Sequence, residues 1–470
     1  VKNALCWLRR DLRLKDNSAL ALATATADRV AVVFVFDTNI LDDLIERADS
    51  RVSFILDSAM EIDRKLQELG SRLIILHGDP KILVPKLAKD LEVDAVFSSH
   101  DDDPYAISRD AMVRKALSGM NVEWHSCKDH VVFERQEVVS KRGEPFIVFT
   151  PYMNAWKAML DDIHISERVP ILNHIWNSST FGPQVTCLTD IGFETKSPWV
   201  PAGETAAQSR LLSFADQMDD YSQNRDRPDL MGTSHLSVDL RHGTISVRQC
   251  VREARKYANN GSTKWLDEVI WRDFYHMILA NSPIIVSEPF KAEFRSVEWP
   301  GDLEDYEKWE QGQTGYPIVD AAMRCLNETG WMHNRLRMIA AMFMTKDLLL
   351  DYRLGESYFA RKLLDFELAS NNGGWQWCAS TGVDAQPWFR IFNPVTQSKK
   401  CDPFGVFIRT WCPELNSLDN EQIHWPHKMT MFEQMSSSIK IGVDYPHPMV
   451  DHQVQRTKAL EFFSMISRKS

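Results

Sequence analysis

Residues 3–125 alternate short, nearly continuous apolar runs with stretches of helical period. The runs at 4–8, 30–36, 72–77, 95–98 and 122–125 predict buried parallel strands, because a strand covered on both faces carries apolar side chains at almost every position. Amphipathic stretches at 51–69 and 80–91 lie between them, and this alternation predicts a doubly wound α/β sheet of about five strands. Residues 131–203 lose the periodicity, and at their end stand Gly182, Pro183, Pro198, Pro201 and Gly203, the signature of a long connector. From residue 204 onward helical periods take over at 206–221, 246–258, 265–280, 318–328, 332–351 and 356–367. The expected plan is an α/β domain over 1–130, a linker over 131–203 and an all-α domain over 204–470.

Composition narrows this picture in a few places. The 470 residues are 44% hydrophobic and 25% charged, which fits a soluble chain of two or three domains. A formal net charge of -11 excludes a protein basic all over and leaves room for a local basic groove. The eight cysteines include no C-x-x-C pair, so the expectation is a reducing cytosol, without a zinc site or disulfide framework. No apolar span reaches the length of about 18 residues that a membrane helix needs. The N-terminal Val1-Lys2-Asn3-Ala4-Leu5-Cys6 reads as a first strand and not as a signal peptide. The departure from the ordinary is 15 tryptophans, crowded into the second half.

Several clusters carry candidate chemistry. The run Asn371-Asn372-Gly373-Gly374-Trp375-Gln376-Trp377 joins carboxamides that bond heteroatoms, glycines that let backbone approach a flat ligand, and rings that stack; it also fits a tight turn into a core helix. Tyr221, Arg225 and the segment Gly232-Thr233-Ser234-His235-Leu236-Ser237 offer hydroxyls and backbone N–H groups to a pyrophosphate, or an N-capping turn. Trp265, Glu268, Trp271 and Arg272 share one predicted helix, with Glu268 and Trp271 three apart on one face. Asn334, Arg337 and Met338 share another and suit a selective apolar cavity, with Asp365 a partner for Arg337. Downstream, Trp388-Phe389-Arg390 leads to Gln397, Lys399 and Lys400, aromatics interleaved with cations as a nucleic-acid groove requires. There is no G-x-G-x-x-G and no Walker A, so a ligand of the sheet belongs beyond its strand ends, near Arg9, Asp37 and the acidic run 101–103.

Together these segments resemble the photolyase/cryptochrome family. The resemblance begins at Trp7-Leu8-Arg9-Arg10-Asp11-Leu12-Arg13 and continues through 232–237. It then includes Thr314-Gly315-Tyr316-Pro317 and the residues to Arg324, Gly330-Trp331-Met332-His333-Asn334-Arg335 and the run at 371–377. It implies an α/β antenna domain and a helical domain that binds FAD. Tyr221, Thr233, Ser234, His235, Leu236 and Ser237 would lie near its pyrophosphate and ribose, and Trp265, Arg337, Asp365, Glu367 and Asn371 near its ring. The resemblance implies light-driven repair of UV-damaged DNA, most like the class I enzymes for cyclobutane pyrimidine dimers. An electron would pass from excited reduced flavin to a flipped-out dimer and return after the ring opens. The alternative is a cryptochrome-like blue-light photoreceptor without repair. Asn at 371 and the absence of a long extension after the aromatic–basic loop favour repair.

The same resemblance assigns the lesion site. Glu268, Asn334 and Met338 would be catalytic, with Trp271 and Trp377 as walls. Arg225, Arg272, Arg335, Arg390 and Gln397 would contact the strand. Asn334 and Met338 stand where enzymes for the other main UV lesion, the (6-4) photoproduct, carry histidines. The family's electron relay maps to Trp375, position 352 and Trp299, and position 352 is Tyr, which implies slower or rerouted photoreduction. Glu367 replaces the second acid of the usual Asp-x-Asp. The antenna residues would be Arg9, Asp37, Asp101 and Asp103, and the stretch Asp103-Pro104-Tyr105 resembles deazaflavin-type relatives more than folate-type ones. No metal, no membrane and a monomer in the cytoplasm complete the expectation.

Overall fold

The computed structural model describes residues 1–177 and 182–467. Positions 178–181 of the expected linker and 468–470 of the expected helical domain lie outside the described residues.

Five parallel strands, β1 (Asn3–Leu8), β2 (Arg29–Asp37), β3 (Leu73–Gly78), β4 (Ala95–Ser99) and β5 (Glu123–Cys127), form one sheet in the order β3-β2-β1-β4-β5. Successive side chains on a strand point to opposite faces. Ala4, Cys6 and Leu8 therefore join a core with α1 (Ser18–Thr26) and α2 (Ser50–Glu68), and Leu5 and Trp7 join a second core with α3 (Pro80–Asp90) and α4 (Pro104–Ser118). Burial on both faces is what produced the unbroken apolar runs in the sequence.

The chain compacts into two units, and both are built from separated segments. The first gathers Val1–Phe146, Thr150–Asp219 and Ser234–Pro283; the second gathers Ile147–Phe149, Asp220–Thr233 and Ile284–Ser470. This grouping cuts across the boundary expected at residue 204, because α5 (Val247–Arg255) and α6 (Asn260–Asn281) are tied to the first unit by buried charge. Arg248 pairs with Asp16 and Asp129, and Asp273 accepts the Val132 and Phe133 N–H groups and the Trp156 indole. A buried charge left unpaired is expensive, so such ties fix which segments pack together.

Within the second unit the elements that matter are α7 (Leu303–Glu310), α8 (Pro317–Thr329), α9 (Asn334–Met342), α10 (Tyr352–Lys362) and α11 (Leu368–Ala379). Proline opens α8 at its first turn and Gly330 closes it at φ 72°, a left-handed conformation that glycine adopts without a Cβ clash. The Gly330 carbonyl then accepts the Leu364 N–H at 2.8 Å, which draws the α10–α11 connection against the start of α9.

Four expected helices end before their sequence periods do, and the one expected at 246–258 ends at Arg255. The helix expected at 206–221 ends at Ala215, and the one expected at 356–367 runs from Tyr352 to Lys362. The helix expected at 332–351 ends at Met342 and passes into a π-helical turn, Phe343–Asp347. That turn buries two charged side chains: Lys346 donates to Ser380 Oγ at 2.8 Å, and Asp347 pairs with His452 at 2.6 Å. Long-range partners, invisible to a local period, hold this turn where the helix expected at 332–351 stops.

Candidate functional site

Arg337 and Asp365 form the centre of the second unit's candidate site. His333 caps α9 by accepting the Arg335 N–H, and this orients the first turn of the helix. Arg337 Nε donates to the Met332 carbonyl at 2.7 Å and Nη2 donates to Asp365 Oδ2 at 2.8 Å. The Asp365 side chain is 2% exposed, and its other oxygen, Oδ1, has no hydrogen-bond partner among the described residues. A buried carboxylate oxygen without a donor is costly unless a ligand supplies one. The N–H of a flavin's pyrimidine ring is a donor of the required kind, so these residues fit the group.

The run 371–377 is not a turn. It lies inside α11, and its carboxamides divide between two tasks. Asn372 and Gln376 hold structure: Asn372 Nδ2 donates to the Ile285 carbonyl and to Glu356 Oε1, and Gln376 Nε2 donates to the Ile285 carbonyl while its Oε1 accepts the Phe290 N–H. Asn371 is half-buried, and its Nδ2 donates to the Glu356 carbonyl at 3.0 Å, which fixes the carboxamide's rotation. A Cβ at Gly374 would meet nothing within 4 Å, so that side of the helix is open. Glu367 opens α11 without capping it; its carboxylate accepts the Ser370 hydroxyl at 2.9 Å.

Trp375 is buried against Phe359 and Trp309, with ring centroids 4.9 and 6.0 Å away. Its fit depends on Gly355, where a Cβ would overlap the indole. Tyr352 is 1% exposed, and its hydroxyl has no hydrogen-bond partner among the described residues. Burial first, then the Glu356 charge, holds that phenol well above its ordinary pKa. Trp299 is half-buried and packs on Phe462 and Phe463.

The remaining residues of the second unit separate by exposure. Asn334 is exposed, and Met338 and Trp377 are half-buried against the core. Arg390 is exposed, and Gln397 is half-buried on the helix Pro394–Cys401. Tyr221 is buried with the Arg225 guanidinium 5.6 Å from its ring centre, and Thr233 is half-buried. Arg335 is committed to Asp226 through Nη2 at 2.8 Å.

In the first unit, Ser234 through Ser237 lead into the short helix Ser237–His242. Leu236 occupies its N-cap without a side-chain bond, so the N-capping turn offered as an alternative for this segment does not cap this helix, and Ser234 Oγ accepts the Leu236 N–H at 3.4 Å. Ser234 Oγ also accepts the Trp265 indole N–H at 3.4 Å, and His235 adopts φ 53° with its ring 5.2 Å from that of Trp199. On α6, Glu268 lies 3.7 Å from Lys264 Nζ, and Trp271 packs on Phe274 and Tyr275. Arg272 donates to the His130 and Leu240 carbonyls, so its guanidinium serves as an internal tie.

The expected antenna residues also have partners within the rim of the sheet. Arg9 binds Asp110 and the Ser99 carbonyl, and Asp37 accepts the Tyr105 hydroxyl at 2.6 Å. Asp103 caps α4. Asp101 faces Arg10 at 3.2 Å; burial opposes its charge, and Arg10, His130 and Arg9 together hold its carboxyl below the usual range.

Sequence reasoning overlooked Glu356, Gly355 and Trp309. Glu356 stands four residues after Tyr352 and looks like a solvated helix position. Its burial and its bond to Asn372 appear only when α10 and α11 pack.

Residues 4–171 match the DNA photolyase family, and residues 265–465 match the FAD binding domain of DNA photolyase. The deoxyribodipyrimidine photo-lyase of Halobacterium salinarum is 37% identical, covering 98% of this chain and 98% of that protein. Among solved structures, the class III photolyase of Agrobacterium tumefaciens superposes with a TM-score of 0.89 at 30% identity over 100% of this chain and 98% of that one. A photolyase of Sulfolobus tokodaii, solved with two FAD molecules, gives 0.85 at 29% identity over 98% of this chain and 100% of that one. The fold is that of a flavin-binding light-dependent enzyme class. The chain belongs to the photolyase/cryptochrome family.

Proposed function

We propose that this chain repairs cyclobutane pyrimidine dimers in DNA, using light and FAD. The observation that carries the reading is the pairing of half-buried Arg337 with buried Asp365, one carboxylate oxygen open to an N–H donor, set in a chain that carries the FAD-binding domain of photolyases. When bound in reduced form and lit, FAD supplies one electron for ring opening and receives it back. The chain's own residues position and exclude. Arg337 and Asp365 hold the flavin's polar edge. Glu367, Asn371 and Trp265 would line its ring, with Asn371 oriented by the Glu356 carbonyl. Tyr221, Thr233, Ser234, His235, Leu236 and Ser237 would serve its pyrophosphate and ribose.

For the lesion we assign Trp271 and Trp377 to stacking, Met338 to apolar contact, and Glu268 and Asn334 to hydrogen bonds that hold the opened pair. A dimer already disturbs base stacking, so flipping it out of the duplex is cheap. Arg225, Arg390 and Gln397 are assigned to phosphates; Arg272 and Arg335 support the site from within their ion pairs and backbone bonds. Asn371 favours repair over signalling, because a carboxamide can bond a flavin nitrogen without donating a mobile proton. No helix among the described residues is long and apolar enough to cross a membrane. A monomer acting on DNA in the cytoplasm is the proposed setting. A second, light-harvesting chromophore of deazaflavin or flavin type is proposed at the sheet rim near Arg9, Asp37, Asp101 and Asp103. The second FAD of the Sulfolobus relative supports a tricyclic occupant.

The test is to irradiate the chemically reduced holoprotein with UV-damaged oligo-thymidine and follow the return of thymine absorbance. Light-dependent recovery is expected. Flavin bound with no recovery would overturn repair and favour the photoreceptor.

A further inference from the structure

A protein that uses reduced flavin needs a way to feed electrons to it, and the path implied by resemblance runs through Tyr352 to Trp299. The structure makes Tyr352 a poor member. A tyrosine gives up an electron readily only when its phenolic proton leaves with it, and the Tyr352 hydroxyl is buried with no acceptor among the described residues.

A second row of rings starts at Trp375. Trp309 lies 6.0 Å from Trp375 between centroids, and Tyr306 lies 5.9 Å from Trp309 with the planes 30° apart. Trp309 is fully buried, its indole N–H held by the Ala340 carbonyl at 3.1 Å, and Tyr306 is half-buried. On α7, Tyr306 and Trp309 stand three apart and Tyr306 and Glu310 four apart, so the phenol and a carboxylate share one face. Burial first, then the Glu310 charge, push the Tyr306 phenol up to about 12, and Arg361 opposes them. The two tyrosines thus differ: Tyr306 is half-buried with a carboxylate one turn along its own helix face, whereas the Tyr352 hydroxyl is buried with no hydrogen-bond partner among the described residues.

We infer that electrons reach the flavin along Tyr306, Trp309 and Trp375, with Glu310 as the proton acceptor, and that Tyr352 is bypassed. The inference rests on the flavin assignment proposed above. Trp375 gives one electron to the photo-excited oxidised flavin, and Trp309 gives one to the Trp375 radical cation. Tyr306 then gives one electron to Trp309 and its phenolic proton to the Glu310 carboxylate, leaving a neutral tyrosyl radical. A soluble thiol restores Tyr306 by supplying one electron while the proton returns from Glu310; the thiol's own proton is released, and two thiyl radicals couple to one disulfide. One electron enters the flavin for each thiol oxidised.

The experiment uses the full-length holoprotein with oxidised flavin, ring-deuterated tyrosine and an added thiol. It follows flavin photoreduction by transient absorption and the radical by EPR. Tyr306→Phe is expected to slow photoreduction by about tenfold or more and to abolish the tyrosyl signal. Tyr352→Phe is expected to leave both within about twofold, and Glu310→Gln to delay the tyrosyl signal. Trp309→Phe is the harsher variant; Tyr306→Phe keeps the test valid if it fails to fold. Tyrosyl radical and photoreduction retained in Tyr306→Phe but lost in Tyr352→Phe would overturn the inference. Repair by the chemically reduced Tyr306→Phe protein separates the two readings. Full repair there leaves the proposed function standing whatever the relay shows, whereas no repair by any protein, with the relay result intact, counts against function alone.

Discussion

Glu356 accepts the Asn372 carboxamide on its side chain at 2.9 Å, one residue from the Asn371 whose carboxamide its backbone carbonyl accepts at 3.0 Å. One residue of α10 therefore sets both asparagines of α11. Burial is the main influence on its carboxyl and pushes it up from 4.5 to about 7; Asp351 adds to the rise, while Asn372 and Arg353 oppose it.

A pH dependence follows. A carboxyl raised in the folded state binds its proton more tightly there than in the unfolded chain, so its contribution is complete below about pH 4.5 and is lost as pH rises through about 7. Glu356→Gln keeps the bond to Asn372 and removes the proton. Urea unfolding at pH 5 and pH 8 should show the wild type losing about 2 kcal/mol more than the variant across that interval. Parallel losses in the two proteins would refute the assignment.

Arg337→Met leaves the Asp365 carboxylate buried without its cation. The expected cost is about 3 kcal/mol of stability together with loss of bound flavin, and Asp365→Asn should be milder in stability while still lowering flavin content. Thermal melts and flavin absorbance of the purified variants measure both. An Arg337→Met protein with full flavin and an unchanged melt would contradict the role given to the pair.

Gly355→Ala forces a methyl into the Trp375 indole. Overpacking of this kind costs about 1–3 kcal/mol. Adding Trp375→Phe, a smaller ring, should recover part of the loss, so the double variant is expected to be more stable than the sum of the single effects predicts. Strict additivity in denaturant melts would show that the two residues are not coupled.

Asn334 and Arg390 are exposed, so substitutions there separate function from folding. Asn334→Ala should leave stability within about 0.5 kcal/mol and lower the repair rate. Arg390→Gln should weaken binding to damaged DNA and reduce the salt slope of log affinity by about 1, as expected for one lost phosphate contact. Titration of a dimer-bearing oligonucleotide at several salt concentrations reads the second effect; an unchanged slope removes Arg390 from the interface.

Much of the fold was legible because its signals are local. Nearly continuous apolar runs marked the first four strands in chain order, β1 to β4, since a strand buried on both faces has little room for a polar residue. The edge strand β5, Glu123–Cys127, is not buried, and the observed strands lie within two residues of the expected positions. Helix ends were less legible. The stretch 332–351 has one continuous period, yet its helix gives way at Met342 because Lys346 and Asp347 find partners more than thirty residues away.

The site shows the same division. The sequence by itself determined the family, the order of its motifs and the identity of each candidate side chain, because those are properties of residue type and spacing. Only the tertiary structure decided what each side chain is free to do. It spends Arg272 and Asn372 on backbone carbonyls, pairs Arg335 with Asp226, and leaves one oxygen of Asp365 open. It also strips Tyr352 of a proton acceptor while setting Tyr306 on one helix face with Glu310. The physical reason is that hydrogen-bond satisfaction and burial depend on atoms from distant segments, and no local pattern encodes which of them will meet.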